Sequence, residues 1–230
     1  STEIDMIFLT YDINLLLLVT GLGWIIARLI RFAIHKRGSL LREFTLAVLF
    51  LFLWFLIQRT LEPFVLVLDR APEPPNLVPL QGLALMLQRA ITIDHTNTWR
   101  IVAINILGNV LIFIPIGFLV SVLTPHRHKG WLALAIGLAI SLIIEIVQLS
   151  FAIRVFDVDD LILNCSGAWL GFITYLLLNQ IKPLKELFGQ IAKAQRPRGW
   201  VFVLLYGAFV FAAAAAIYWR DYTAYLRIPQ

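Results

Sequence analysis

The chain has 230 residues, 60% of them hydrophobic and only 14% charged, with a mean hydropathy of +0.84. Soluble globular domains run nearer half apolar and a quarter charged, so an ordinary water-soluble domain is excluded and most of the mass is expected in lipid. The formal charge is +5, but the basic residues stand in short loops between apolar runs and no nucleic-acid-binding module is visible, so the charge reads as membrane topology.

The N-terminus is acidic (Ser1-Thr2-Glu3-Ile4-Asp5), where a secretory signal would be basic, so no cleavable leader is expected. A spanning helix needs about 20 mostly apolar residues. Six segments qualify in chain order: 13–32, 40–61, 101–123, 131–153, 161–178 and 200–219. The expected fold is therefore all-α, a polytopic bundle of about six spans in one membrane domain over 1–230, the last span being accessory.

Between the second and third spans lies a connection that opens with Pro72, Pro74, Pro75 and Pro79, which forbid a regular helix there. Residues 80–91 (LQGLALMLQRAI) are apolar but too short to cross, and read as an interfacial or re-entrant helix. Residues 182–198 alternate apolar and basic positions, as suits a helix lying on an anionic leaflet.

Orientation follows from the Lys and Arg distribution. Twelve fall on one side: Arg28, Arg31, Lys36, Arg37, Arg42, Arg127, Lys129, Lys182, Lys185, Lys193, Arg196 and Arg198. Seven fall on the other: Arg59, Arg70, Arg89, Arg100, Arg154, Arg220 and Arg227. The first side should be cytoplasmic, with both termini external or periplasmic. Trp99, Trp131, Trp200 and Trp219 suit interface anchors; Trp24 and Trp54 do not.

The residues that could carry chemistry collect on the external side. In the third span Asn105 and Asn109 are four apart and share a face, Gly108 permits close helix approach, and Pro115 removes the bond to the Leu111 carbonyl and should kink the helix. In the fourth, Glu145 and Gln148 share a face, with Ser141 a turn below. A carboxylate at such a depth costs on the order of 2.5–3.5 kcal/mol even by insertion scales, so it should face the interior and have a partner. The turn to the fifth span reads Arg154-Val155-Phe156-Asp157-Val158-Asp159-Asp160. Asp157 or Asp159 could cap the next helix, and Asn164 shares a face with Asp160. Gly167 and Gly171 continue that stripe as a small-residue seam. Gln58, Arg59 and Glu62 end the second span at the same level.

This constellation suits a binding site for a polar head group, with Arg59 and Arg154 for phosphate and Asn105, Asn109, Gln148 and Asn164 for other polar groups. Asp157, Asp159, Asp160 and Glu145 are hard oxygen donors, so a divalent cation such as Mg²⁺ or Ca²⁺ is a possible occupant, though no spacing matches a known metal motif. Glu145 and Asp160 are candidates for acid–base catalysis of phosphate or glycosyl transfer, without any nucleophile motif beside them. His126 and His128 read as loop polarity. Asn164-Cys165-Ser166 matches a glycosylation sequon by chance inside a helix, and Cys165, the single cysteine, permits no intramolecular disulfide.

The pieces NLVP (76–79), NILGNVLIFIPIGF (105–118), IEIVQ (144–148) and RVFDVDDLILNCSGAWLG (154–171) resemble, in order and spacing, the VanZ-like family of membrane proteins over about 76–178. The founding member of that family is associated with resistance to the glycopeptide teicoplanin in Gram-positive bacteria. The resemblance implies a bacterial plasma membrane, a cell-envelope role and polar family positions at Asn105, Asn109, Glu145, Gln148, Arg154, Asp157, Asp160 and Asn164; it implies no reaction. Three functions are open: a binder of a lipid or lipid-linked envelope precursor, a subunit of a larger membrane assembly packing through Gly167, Gly171, Gly207 and 212–216, or a membrane enzyme.

Overall fold

A computed structural model describes residues 13–35, 39–61, 74–93, 96–124, 129–150 and 155–193. They form seven helices: α1 (Ile13–His35), α2 (Leu40–Leu61), α3 (Gln81–Ile93), α4 (Thr96–Leu123), α5 (Lys129–Ser150), α6 (Val158–Leu178) and α7 (Lys182–Lys193). Among the described residues there is no strand, only an isolated parallel bridge between Asn76 and Asp157. The architecture is that of an all-α membrane protein.

Among the described residues three helices are long and apolar enough to cross a membrane: Asn97–Leu123, Lys129–Ile146 and Val158–Leu178. These are the third, fourth and fifth expected spans. The first two expected spans are helical where expected, but the described apolar stretch of α1, Leu18–Ile30, is shorter than a crossing, and α2 is not among the three. The sixth, 200–219, lies outside the described residues, as do His126 and His128. Three of the six expected crossings are thus supported among the described residues.

Helices α4, α5 and α6 form the centre. Partners across α5 and α6 run in opposite senses, Gly130 to Phe172, Gly137 to Ala168 and Ser141 to Asn164, so these two helices are antiparallel. Pairs across α4 and α6 rise together, Val110 to Gly167 and Ile114 to Gly171, so these are parallel. Between lipid-bathed helices apolar burial gives little net drive, and close packing has to supply the attraction. The glycines provide it. A Cβ on Gly117, Gly167 or Gly171 would collide with a backbone carbonyl oxygen of the opposite helix, of Ala168, Val110 and Ile114 respectively. The Gly167/Gly171 stripe is thus occupied by α4 of the same chain, and is not available to a partner helix.

Helix α2 runs alongside, placing Leu56 against Phe113, Ile116 and Val120. Helix α1 returns antiparallel to α2. Trp24 stacks on Phe50 with centroids 4.9 Å apart, under the guanidinium of Arg28, which pairs with Glu43. Trp24 fits poorly as an interface anchor because it is spent on this hairpin, whereas Trp131 is 73% exposed. Pro115 lies inside α4; the helix continues through it.

The bundle has two chemically different ends. One carries Arg28, Arg42, Lys129, Lys182, Lys185 and Lys193 and is called the basic end below. There α7 turns its apolar side to the bundle: Phe188 meets Phe118 and Tyr175 at centroid distances of 5.8 and 5.6 Å, and Ile191 is buried. Its apolar face covers the protein, and Lys182, Lys185 and Lys193 stay exposed on the opposite face. Arg42 donates to the carbonyls of Leu123 and Ile191, both at 2.9 Å, so one cation caps the negative ends of α4 and α7 together. The other end, where α4 and α6 begin and α5 finishes, is the polar end.

Candidate functional site

At the polar end the chain before α3 lies beside the chain before α6. The Asn76 N–H donates to Phe156 O (2.9 Å) and the Val158 N–H to Asn76 O (3.0 Å). This bridge brings together segments more than eighty residues apart and sets two helix N-termini over one group of carboxylates.

Asp157 is the N-cap of α6, in extended conformation, and its Oδ1 accepts from the Asp159 N–H at 2.9 Å. Asp159, 2% exposed, belongs to α6 but serves α3. Its Oδ1 accepts from the Leu80 N–H and its Oδ2 from the Leu83 N–H at 3.0 Å. Asn76 Nδ2 ties the two acids together, 2.7 Å from Asp157 Oδ1 and 3.4 Å from Asp159 Oδ2. Free N–H groups and the positive end of the helix dipole favour a carboxylate at such a position, so α3 and α6 each hold an anion that no cation has to neutralise. Leu80 adopts a left-handed conformation, φ 65°, unfavourable by about 1–2 kcal/mol for a residue with a Cβ; the bond to Asp159 holds it there. Gly82 has to be small, since a Cβ would stand 2.8 Å from Asn76 Nδ2 and 3.0 Å from Asp159 Oδ2.

Deeper in the bundle the polar residues of α4, α5 and α6 meet. Asn109 Nδ2 donates to Asp160 Oδ1 at 2.6 Å. Glu145, 2% exposed, accepts from the Asp157 N–H through Oε2 at 2.9 Å, so the end of α5 is tied to the start of α6. Gln148 is buried on the same face of α5. Asn164 Nδ2 donates to Ser141 Oγ at 2.8 Å.

The structure therefore brings Asn109, Glu145, Asp157, Asp159, Asp160 and Asn164 into one polar layer. Asn105 is half-buried and makes no side-chain hydrogen bond among the described residues. The side chains of Gln58 and Arg59, together with Glu62 and Arg154, lie outside the described residues. The three aspartates face different partners, Asp157 and Asp159 the two helix N-termini and Asp160 Asn109. Among the described residues no group of three or more His, Cys, Asp or Glu could hold a metal ion. Asn76 and Gly82 were not expected at the site from residue chemistry. Their signals were the asparagine ahead of Pro79 and a glycine inside an otherwise apolar helix, and only the fold gives them their meaning.

Beside this layer, and separate from it, an apolar groove of about 780 Å³ runs between α5 and α6, lined by Leu134, Leu138, Leu161, Cys165 and Trp169 among others.

A family model described as VanZ/LLP1 matches residues 43–179, more than half of the chain. Protein VanZ of Enterococcus faecium is 40% identical to it over 84 residues, which cover 36% of this chain and 51% of that protein. The chain thus spans about half the length of the curated relative it matches. No solved structure matches.

Proposed function

The chain belongs to the VanZ-like family, and on that footing we propose that it is a cell-envelope protein of the bacterial plasma membrane whose polar end faces outward and holds the polar head group of a lipid or lipid-linked precursor. The reading includes six crossings, with α1, α2 and 200–219 joining α4, α5 and α6, and both termini external. Its support for orientation is the separation of charge: the lysines and arginines that favour the cytoplasmic side stand at the opposite end from the acids and amides.

The observation that carries the reading is the Asn109–Asp160 pair with half-buried Asn105 one turn nearer the polar end. Acids and amides on separate helices at one depth are costly in hydrocarbon and are tolerated when they face one another or a polar ligand. Asp157, Asp159 and Glu145 are engaged in capping and tying helices; Asn105, beside the Asn109–Asp160 pair, is what a head group would meet first. Arg59 and Arg154 are assigned to its phosphate. Native mass spectrometry of the purified chain with phosphatidylglycerol and with a polyprenyl phosphate tests this. Asn105→Leu and Arg154→Ala should each lower lipid retention at least tenfold. Binding equal to that of the unaltered chain would count against the proposal.

A further inference from the structure

Hydroxyls on the helices of this protein follow a habit: Thr45, Thr92, Ser121, Thr124, Ser166 and Thr174 each donate to the carbonyl four residues back. Among the described residues Ser141 does not. It is wholly buried, its Oγ accepts Asn164 Nδ2 at 2.8 Å, and its own hydrogen goes to no described acceptor. Asn164 is 5% exposed, and its Oδ1 has no hydrogen-bond partner among the described residues. A buried acceptor and a buried donor therefore stand unspent on two side chains already joined to each other. Buried polar groups in native proteins are nearly always satisfied.

The chemistry of the pair selects the occupant. A cation would satisfy Asn164 Oδ1 but would confront the Ser141 hydroxyl hydrogen. An apolar group would satisfy neither. A water accepts from Ser141 and donates to Asn164 Oδ1, with its second hydrogen left over. Glu145, on the same face of α5 one turn nearer the polar end, is the carboxylate placed to receive that hydrogen. Towards the basic end the space is closed, since a Cβ on Gly137 would lie 2.7 Å from that of Ala168.

We propose that Ser141 and Asn164 form a buried water site, the deepest rung of a polar inlet that runs through Glu145 to the Asp157 amide at the polar end. Asn164 is six residues into α6, so the inlet penetrates about 9 Å along that helix. The water gives Glu145, itself tied to the Asp157 amide, a polar neighbour on its inner side, away from the polar end. This stands whether or not the polar end binds a lipid head group.

The test is infrared spectroscopy of the full chain in nanodiscs, comparing H₂¹⁶O with H₂¹⁸O, alongside a density map fine enough to order waters. The unaltered chain should give an isotope-shifted O–H band that is lost in Asn164→Leu and in Ser141→Ala. Density should lie roughly 2.7–3.2 Å from both Asn164 Oδ1 and Ser141 Oγ. If Asn164→Leu does not fold, the Ser141→Ala spectrum decides. A band unchanged by the substitutions overturns the proposal. So does a reversed amide whose Oδ1 takes the Ser141 hydroxyl directly, or a density that changes when sodium is replaced by potassium.

Discussion

Replacing Asp159 by alanine removes the acceptor on which the start of α3 depends. Two backbone amides, Leu80 and Leu83, lose their partner, and Asn76 keeps only its shorter bond to Asp157. A hydrogen bond to a charged group contributes about 1.5–3 kcal/mol. The carboxylate is almost fully buried, so solvent screening discounts this little. Gln81 is exposed, however, so water can reach the released helix end and offset part of the loss. A net cost of about 3 kcal/mol follows, a factor of roughly 150 in a local opening equilibrium. Hydrogen–deuterium exchange of a peptide covering 80–93 should therefore speed up by about two orders of magnitude, while peptides from the α4–α6 core stay protected. Asp159→Asn, which keeps one acceptor oxygen, should fall between. Unchanged exchange at Leu80 and Leu83 in a folded Asp159→Ala protein would refute the view that this carboxylate caps α3.

Gly171→Ala should lower thermal stability in detergent by at least 1–3 kcal/mol, because the new Cβ meets the Ile114 carbonyl and neither backbone can yield cheaply. Gly108→Ala, with nothing within 4 Å, should be neutral or stabilising by up to about 1 kcal/mol; equal effects of the two would sink the seam argument. Arg42→Ala should free α7, measured as faster proteolysis between α6 and the chain beyond Lys193, and Arg42→Lys should restore much of the protection, since both bonds leave the single Nη1 nitrogen and an ammonium also carries donors for two carbonyls. In a Cys165→Ser background, Lys185→Cys should react with an impermeant thiol reagent from the cytoplasmic side and Gln81→Cys from the external side. Labelling of both from one side would contradict the orientation.

The spans at the centre were legible because a run of some 20 apolar residues in lipid has few alternatives to a helix that satisfies its own backbone. Glu145 could be expected inside the bundle for the same reason, since a carboxylate on the lipid face is too costly. Pairings were not legible. Asn105 and Asn109 share a face of α4, yet Asn109 is the one that reaches Asp160. Asp157 and Asp159 looked like metal ligands or rival caps for one helix. They cap two, because the Asn76 bridge carries α3 to the start of α6, and nothing local in the chain encodes a contact over eighty residues. The amphipathic pattern of α7 was correct, but a pattern does not say what its apolar face meets; Phe118 and Tyr175 cover it, where lipid was expected. Gly167 and Gly171 likewise signalled close helix contact without saying that α4 would supply it.

The most direct examination of the account is an experimental density map of the chain in nanodiscs of bacterial lipid. It should place Asp159 on the Leu80 and Leu83 amides and Asp160 on Asn109, with head-group density touching Asn105 or Asp160 at the external membrane face. A map with these side chains dispersed toward lipid, or with the polar layer intact and no head group against it, would contradict the proposed function; the first result would also undo the site itself.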